Sequence, residues 1–245
     1  MQVSIEQVEP LIDWHMLLHY WGFKPGQESS DQARPTLAAA RQQLEQVKRD
    51  SSIALRAVVK YYDACRQGND IVLDNGTRLP MLRAQSGKCE SLADFFPEQG
   101  TAPIGLFCVT AVDQLREGDP KDFEHLMQQG LAARLAEAAA QWLQEQLYKP
   151  GDVVIRPAFG YATCPDHSLK AVVVDALDAR ELLGLSLTES YMIVPATSVC
   201  GLLVAHPEAH YFAVGKIDRD QLSDYARRRR LPVEEVEKLL INNVQ

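Results

Sequence analysis

Cysteine is scarce and badly placed for crosslinking. Cys65, Cys89, Cys108, Cys164 and Cys200 are scattered through 245 residues, odd in number and without a CxxC pair. That spacing excludes a disulfide framework and predicts free thiols in a reducing, cytoplasmic setting. Long apolar runs are missing too, so no membrane span is expected. The opening stretch, MQVSIEQVEP, lacks the basic and then apolar regions of a signal peptide. Positive charge is in deficit, with 25 Lys and Arg against 33 Asp and Glu. A net charge of −8 argues against nucleic-acid or anionic-membrane partners. Neither GxGxxG nor GxxxxGK[ST] occurs, which leaves dinucleotide and Walker-type triphosphate sites unsupported. Repeats and low-complexity tracts are absent.

What remains is ordinary globular material, 46% hydrophobic and 24% charged. It is enough to bury a sizeable core. We expect a single domain over 1–245, helical over about 1–50 and mixed sheet and helix over 51–245. Residues 5–22 read as an apolar-rich helix with Gly22 as its stop. Residues 31–50 read as a polar helix with Pro35 in the first turn, where proline is tolerated. Between Arg56 and Leu82, β-branched and aromatic residues are punctuated by Gly68-Asn69-Asp70 and Asp74-Asn75-Gly76, which predicts three short antiparallel strands. SLADFF reads as a short turn or helix, and 104–111 as a buried strand.

Residues 120–147 carry the clearest helical signal. Pro120 suits the first helical position after Asp119, and Phe123, Met127, Leu131, Leu135, Ala138 and Trp142 build one apolar stripe. YKPGD breaks it. SLKAVVVDAL and DARELLGL then read as short helices. YMIVPATSVCGLLVA and YFAVGKI read as strands joined by the turn HPEAH. DRDQLSDYARRRR and PVEEVEKLL close as helices, the first with a box-like Asp218…Gln221 spacing and the second starting at Pro232. Strands and helices are segregated, which favours an α+β fold with an antiparallel sheet over a doubly wound one.

Several candidate sites fail on chemistry. HPEAH, 206–210, is similar in composition to a zinc-protease helix, but Pro207 stands where the glutamate is needed. Cys164 and His167 could form a nucleophile and base, yet no third orienting residue is evident. A structural thiol and a turn histidine are the favoured reading. A zinc site from Cys89, Cys164, His167 and Cys200 lacks a short-spaced ligand pair. RRRR, 227–230, falls at a helix C-terminus, where the macrodipole favours cations. A solvated helix end is the expectation, with an acidic protein partner as the alternative.

The stretch IRPAFGYATCPDH, Ile155–His167, stands apart. Proline fixes φ, and Gly160 permits a close approach or an unusual φ. Arg156-Pro-Ala-Phe-Gly-Tyr161 therefore reads as a rigid loop with a guanidinium at one end and a phenol at the other. An arginine fork suits a carboxylate, and a tyrosine offers an apolar face with a polar tip. Two readings stay open at this point. One is a cradle for a zwitterionic small molecule. The other is an arginine that satisfies loop carbonyls.

IRPAFGYATCPDH resembles the signature of the C-terminal activation domain of cobalamin-dependent methionine synthase. That signature runs arginine, proline, alanine, any residue, glycine, tyrosine, and after a short gap cysteine, proline, an acidic residue and histidine. The similarity continues through LTESYMIVPATSVCGLLVAHPEAHYFAVGKIDRDQLSDYARRRRLPVEEVEKLL. IDWHMLLHYWG, SLADFF, IGLFCVT and LAARLAEAAAQWL are weaker matches in the same order.

The resemblance implies a curved antiparallel sheet flanked by helices. It implies that S-adenosylmethionine is bound and presented for reductive methylation of cob(II)alamin. The cobalamin is held by another chain or domain, and the electron comes from flavodoxin or another reductant. It implies cofactor contacts at Asp13, Glu137, Arg156, Ala158, Tyr161, Tyr211 and Phe212, with no catalytic base and no metal ligand in this chain. It also implies a component of a methyltransferase that does not make methionine alone. The chain shows no DxHxxG corrinoid motif, no folate barrel and no homocysteine zinc site. The chain reads either as a fragment of a larger enzyme or as a separate subunit that services one, and Met1 with the compact start points to the second. Two departures are visible. The connection YKPGDVVIRP is shorter than is usual in the family and supplies no glutamate, and Phe159 stands where proline is common. The alternatives are a non-catalytic docking module for a corrinoid protein, or a reactivation partner of another corrinoid methyltransferase.

Overall fold

The computed structural model describes residues 1–27, 30–114 and 122–245. In chain order the strands are β1 (Gln2–Val3), β2 (Ile53–Gln67), β3 (Asp70–Leu73), β4 (Arg78–Pro80), β5 (Ala102–Asp113), β6 (Val154–Ile155), β7 (Ser186–Leu187), β8 (Ile193–Val194) and β9 (Ser198–Ala205). The helices are α1 (Ile5–Val8), α2 (Trp14–Tyr20), α3 (Ala33–Asp50), α4 (Phe123–Leu147), α5 (Leu169–Ala176), α6 (Ala179–Leu183), α7 (Arg219–Arg229) and α8 (Val233–Leu239). Among the described residues the main sheet runs β4-β3-β2-β5-β9-β6, with β1 added along β2 and every neighbouring pair antiparallel. β7 and β8 form a separate hairpin. The fold is α+β, as the segregated pattern predicts.

β5 shows why both faces of the sheet are covered. Its residues from Ile104 to Ala111 are buried without a break. Ile104, Leu106 and Cys108 point into the core shared with α5 and α6. Phe107, Val109 and Ala111 point into the core beneath α4. A strand buried on both faces reads as a continuous apolar run rather than an alternation. α4 is in turn sandwiched between the sheet and the N-terminal helices. Gly130, Ala132, Ala136, Ala139 and Leu143 are therefore buried along with the stripe residues Met127, Leu131, Leu135 and Ala138. Phe123, by contrast, is exposed and leans on Trp21. Pro120 and Asp119 lie outside the described residues.

The helix expected over 5–22 is broken. α1 passes into a 3-10 turn at Glu9–Leu11 around Pro10, and a new helix starts when the Asp13 side chain accepts from Met16 N at 3.0 Å. The long strand expected before the HPEAH turn is also divided, into β8 and β9. The strand expected over YFAVGKI is not formed. Its backbone groups are divided between the irregular loop and the C-terminal segment: Thr163 Oγ1 donates to Phe212 O at 2.6 Å, Val214 N donates to Ala162 O at 2.9 Å, and Ile217 N donates to Asn243 O at 2.8 Å. Asp218 caps α7 by accepting from Gln221 N, but the Gln221 side chain bonds both backbone groups of Arg83 instead of returning to Asp218.

The basic run is solvated only in part: Arg227 and Arg230 are exposed, whereas Arg228 and Arg229 turn inward. Arg228 Nη1 meets Asp70 Oδ1 at 2.6 Å, its Nε meets Asp224, and its Nη2 donates to Met81 O. Arg229 reaches Asp166 and Ser168, and Asp166 also accepts from Tyr225. Arg228 and Arg229 side chains are 11% and 12% exposed. Charges this buried persist because they are paired.

Candidate functional site

One cleft gathers all seven residues named from the sequence. It measures about 730 Å³ and opens between the start of α2, the outer face of α4, the loop after β6 and the segment 211–213. That volume is in the range of small-molecule sites. Asp13 stands at the α2 end, Glu137 on α4, Arg156, Ala158 and Tyr161 on the loop, and Tyr211 and Phe212 on the facing strap.

The floor depends on β9. Ala158 bridges Gly201, and Leu202 N donates to Pro157 O at 3.1 Å. A Cβ on Gly201 would stand 2.6 Å from that same carbonyl oxygen, so glycine lets the loop lie flat on the strand. The far end of the loop turns at Gly160, with φ +93°, where a Cβ would run into the His167 ring.

Arg156 is held twice. Its backbone N–H donates to the Tyr211 hydroxyl at 2.8 Å. Its Nη1 donates to Gln144 Oε1, also at 2.8 Å. Nε and Nη2 make no bond among the described residues, so one full edge of the guanidinium is available. Among the described residues the loop carbonyls are not its side-chain partners, so the reading in which the arginine satisfies them does not hold. Asp13 is exposed and uses one carboxylate oxygen to cap α2. Glu137 and Arg134 line the cleft without a hydrogen bond or ion pair among the described residues. Tyr211 is 61% exposed and Tyr161 67%, so two aromatic faces border the mouth.

The sequence reading missed Arg134, Gln141, Met16, Thr163 and Val199, which also line the cleft. The α4 spacing 134, 137, 141 offered a signal, since it places all three on one helical face.

Cys164 and His167 do not make a reactive pair. Burial pushes the Cys164 thiol well up, and its sulfur rests 4.0 Å from Met81 Sδ. Burial and the adjacent Lys170 lower the His167 pKa, and its Nδ1 lies 2.6 Å from Lys170 Nζ. Among the described residues no three His, Cys, Asp or Glu side chains cluster as metal ligands. No described helix is long and apolar enough to cross a membrane.

The chain has clear counterparts among known proteins. Residues 4–152 and 148–230 match the family model described as the activation domain of vitamin B12 dependent methionine synthase. A solved structure, that of the MetH reactivation domain bound to AdoHcy, superposes with a TM-score of 0.91 at 31% sequence identity. The match covers 100% of this chain and 89% of that one.

Proposed function

The chain belongs to the activation-domain family of vitamin B12-dependent methionine synthase, and from that premise we propose that it binds S-adenosylmethionine in the cleft and presents the sulfonium methyl group to a cobalamin held by a partner chain or domain. The observation that carries the reading is the free Nε–Nη2 edge of Arg156. Those two N–H bonds lie side by side, the geometry that matches an amino-acid carboxylate. The solved relative holds AdoHcy, which is S-adenosylmethionine less its methyl group.

The rest of the cleft fits such a ligand. Asp13 and Glu137 supply negative charge for its ammonium and hydroxyl groups. Tyr161, Tyr211 and Phe212 supply apolar faces for its ring and sulfonium, and the backbone at Ala158 lies along the floor. A cobalamin held by the partner would supply the nucleophilic electron pair, once flavodoxin or another reductant had delivered one electron. The methyl group would pass to that nucleophile as the S–CH₃ bond breaks, and sulfur would keep the bonding pair and become neutral. This chain contributes no base. It positions the methyl donor and excludes water, and positioning is worth several powers of ten in rate.

Calorimetric titration tests the reading. S-adenosylmethionine and AdoHcy should both saturate the protein. Arg156→Ala should weaken each by about 1.5–3 kcal/mol, roughly 10- to 150-fold, as expected for a lost hydrogen bond to a charged group. Unchanged affinity in the variant would remove Arg156 from the site. No binding by the parent protein, alone or with a corrinoid protein present, would favour a docking module instead.

A further inference from the structure

We propose that Gln144 is a positioning residue that aims Arg156 and thereby selects ligands that carry a carboxylate. The inference rests on the ligand reading above and adds a residue that neither the sequence motif nor the cleft lining includes.

Gln144 sits in the last turn of α4, twelve residues before Arg156. Its side chain makes two bonds of opposite sense. Oε1 accepts from Arg156 Nη1 at 2.8 Å, and Nε2 donates to Val154 O at 3.4 Å. A reversed amide would set NH₂ against the guanidinium and oxygen against the carbonyl, so its orientation is fixed by its partners. The short connection after α4 makes this tie possible. Only residues 148–153 separate the helix end from β6, which brings the last turn of α4 beside Arg156.

The chemistry of the tie points to a role beyond stability. Arginine is rich in rotamers, and immobilising it in advance spares the ligand that cost. Gln144 occupies Nη1 and leaves the parallel Nε–Nη2 edge for a carboxylate. It is also neutral. A glutamate there would hold the same nitrogen but cancel the charge that the ligand needs. Tyr211 fixes the backbone of the same residue, so Arg156 is anchored at both ends before any ligand arrives.

The test compares two probes on the parent, Gln144→Met and Gln144→Glu. AdoHcy carries the carboxylate, and 5′-methylthioadenosine lacks it. Gln144→Met should weaken AdoHcy by about five- to tenfold, the effect of one positioning hydrogen bond, and leave methylthioadenosine within about twofold. Gln144→Glu should weaken AdoHcy at least as much, again sparing methylthioadenosine. It keeps the assignment testable if the methionine variant folds poorly. In an Arg156→Ala background Gln144→Met should cause no further loss, because the pair acts as one unit. AdoHcy affinity within about twofold of the parent, or equal loss of both probes, would overturn the positioning role. Absence of AdoHcy binding by the parent would instead overturn the proposed function. In that case the ligand-free protein decides the tie separately. The Arg156 Nη protons should rotate slowly in the parent and average in Gln144→Met by NMR, and identical spectra would sink the tie as well.

Discussion

Gly201 matters through the atom it does not have. Its missing Cβ leaves room for Pro157 O, and the floor of the cleft is the loop that carbonyl belongs to. Gly201→Ala should force a backbone shift and cost about 1–3 kcal/mol in denaturant melts, as overpacking does. The same shift should move Ala158 and Arg156, so AdoHcy affinity should fall in parallel. A variant with parent-like stability and affinity would show that the loop is not held by this close approach. Arg156 illustrates what is legible at this scale. The residue type and its stiff loop were enough to raise a carboxylate site. That the arginine is anchored by Gln144 and Tyr211, and not by loop carbonyls, was not legible, because those partners lie twelve and fifty-five residues away.

At the scale of elements, periodicity succeeded where an element is long and buried on a consistent face. α3, α4, β5 and the three strands after Ser52 fall where the pattern puts them, although β2 runs fifteen residues rather than a short stretch. It failed where backbone partners are non-local. Residues 211–217 alternate like a strand, but Phe212 and Val214 bond the loop at 162–163 while Gly215 and Ile217 bond the segment at 243–245. Within RRRR, the inward turn of Arg228 and Arg229 was not legible because Asp70 and Asp166 are distant in sequence. SLADFF forms a 3-10 turn at Leu92–Phe95, as its sequence predicts, but the pattern did not show that its Asp94 joins distant arginines. Burial opposes the Asp94 charge, but Arg83, the Ser91 N–H and Arg66 outweigh it and hold the carboxyl below its ordinary 3.8. A depressed folded value gives stability that is complete above the unfolded value and lost as pH falls through the folded one. Asp94→Asn should therefore cost about 1–2 kcal/mol at neutral pH after discount for solvent screening, and should flatten the decline in stability below about pH 4. Parallel acid-melting curves for parent and variant would refute the clamp.

At the scale of the whole molecule, the apolar clusters are tied through the same strands. β5 and β9 each contribute to the cores on both faces, and Leu82 and Val214 carry packing on to α7 and α8. Shared strands should make the chain unfold in one transition, as expected of a single domain over 1–245. Calorimetry should show one peak. AdoHcy at a hundred times its Kd should add about 2.7 kcal/mol, which for a chain of this size raises Tm by roughly 5–10 °C. Two separated peaks would divide the chain into independent units.

Residue types in a fixed order determined the α+β class and the stiff Arg156–Tyr161 loop, because loop stiffness, helical stripes and buried strands are local consequences of sequence, and the same order carried the family resemblance that implied the seven residues now seen to line one cleft. The tertiary structure decided what those residues do to one another. It gave Arg156 its two anchors, turned the 211–214 segment into a strap and buried Arg228 and Arg229. Each of those outcomes depends on hydrogen bonds and ion pairs between positions far apart in the chain, and no local pattern encodes a partner that only folding brings within reach.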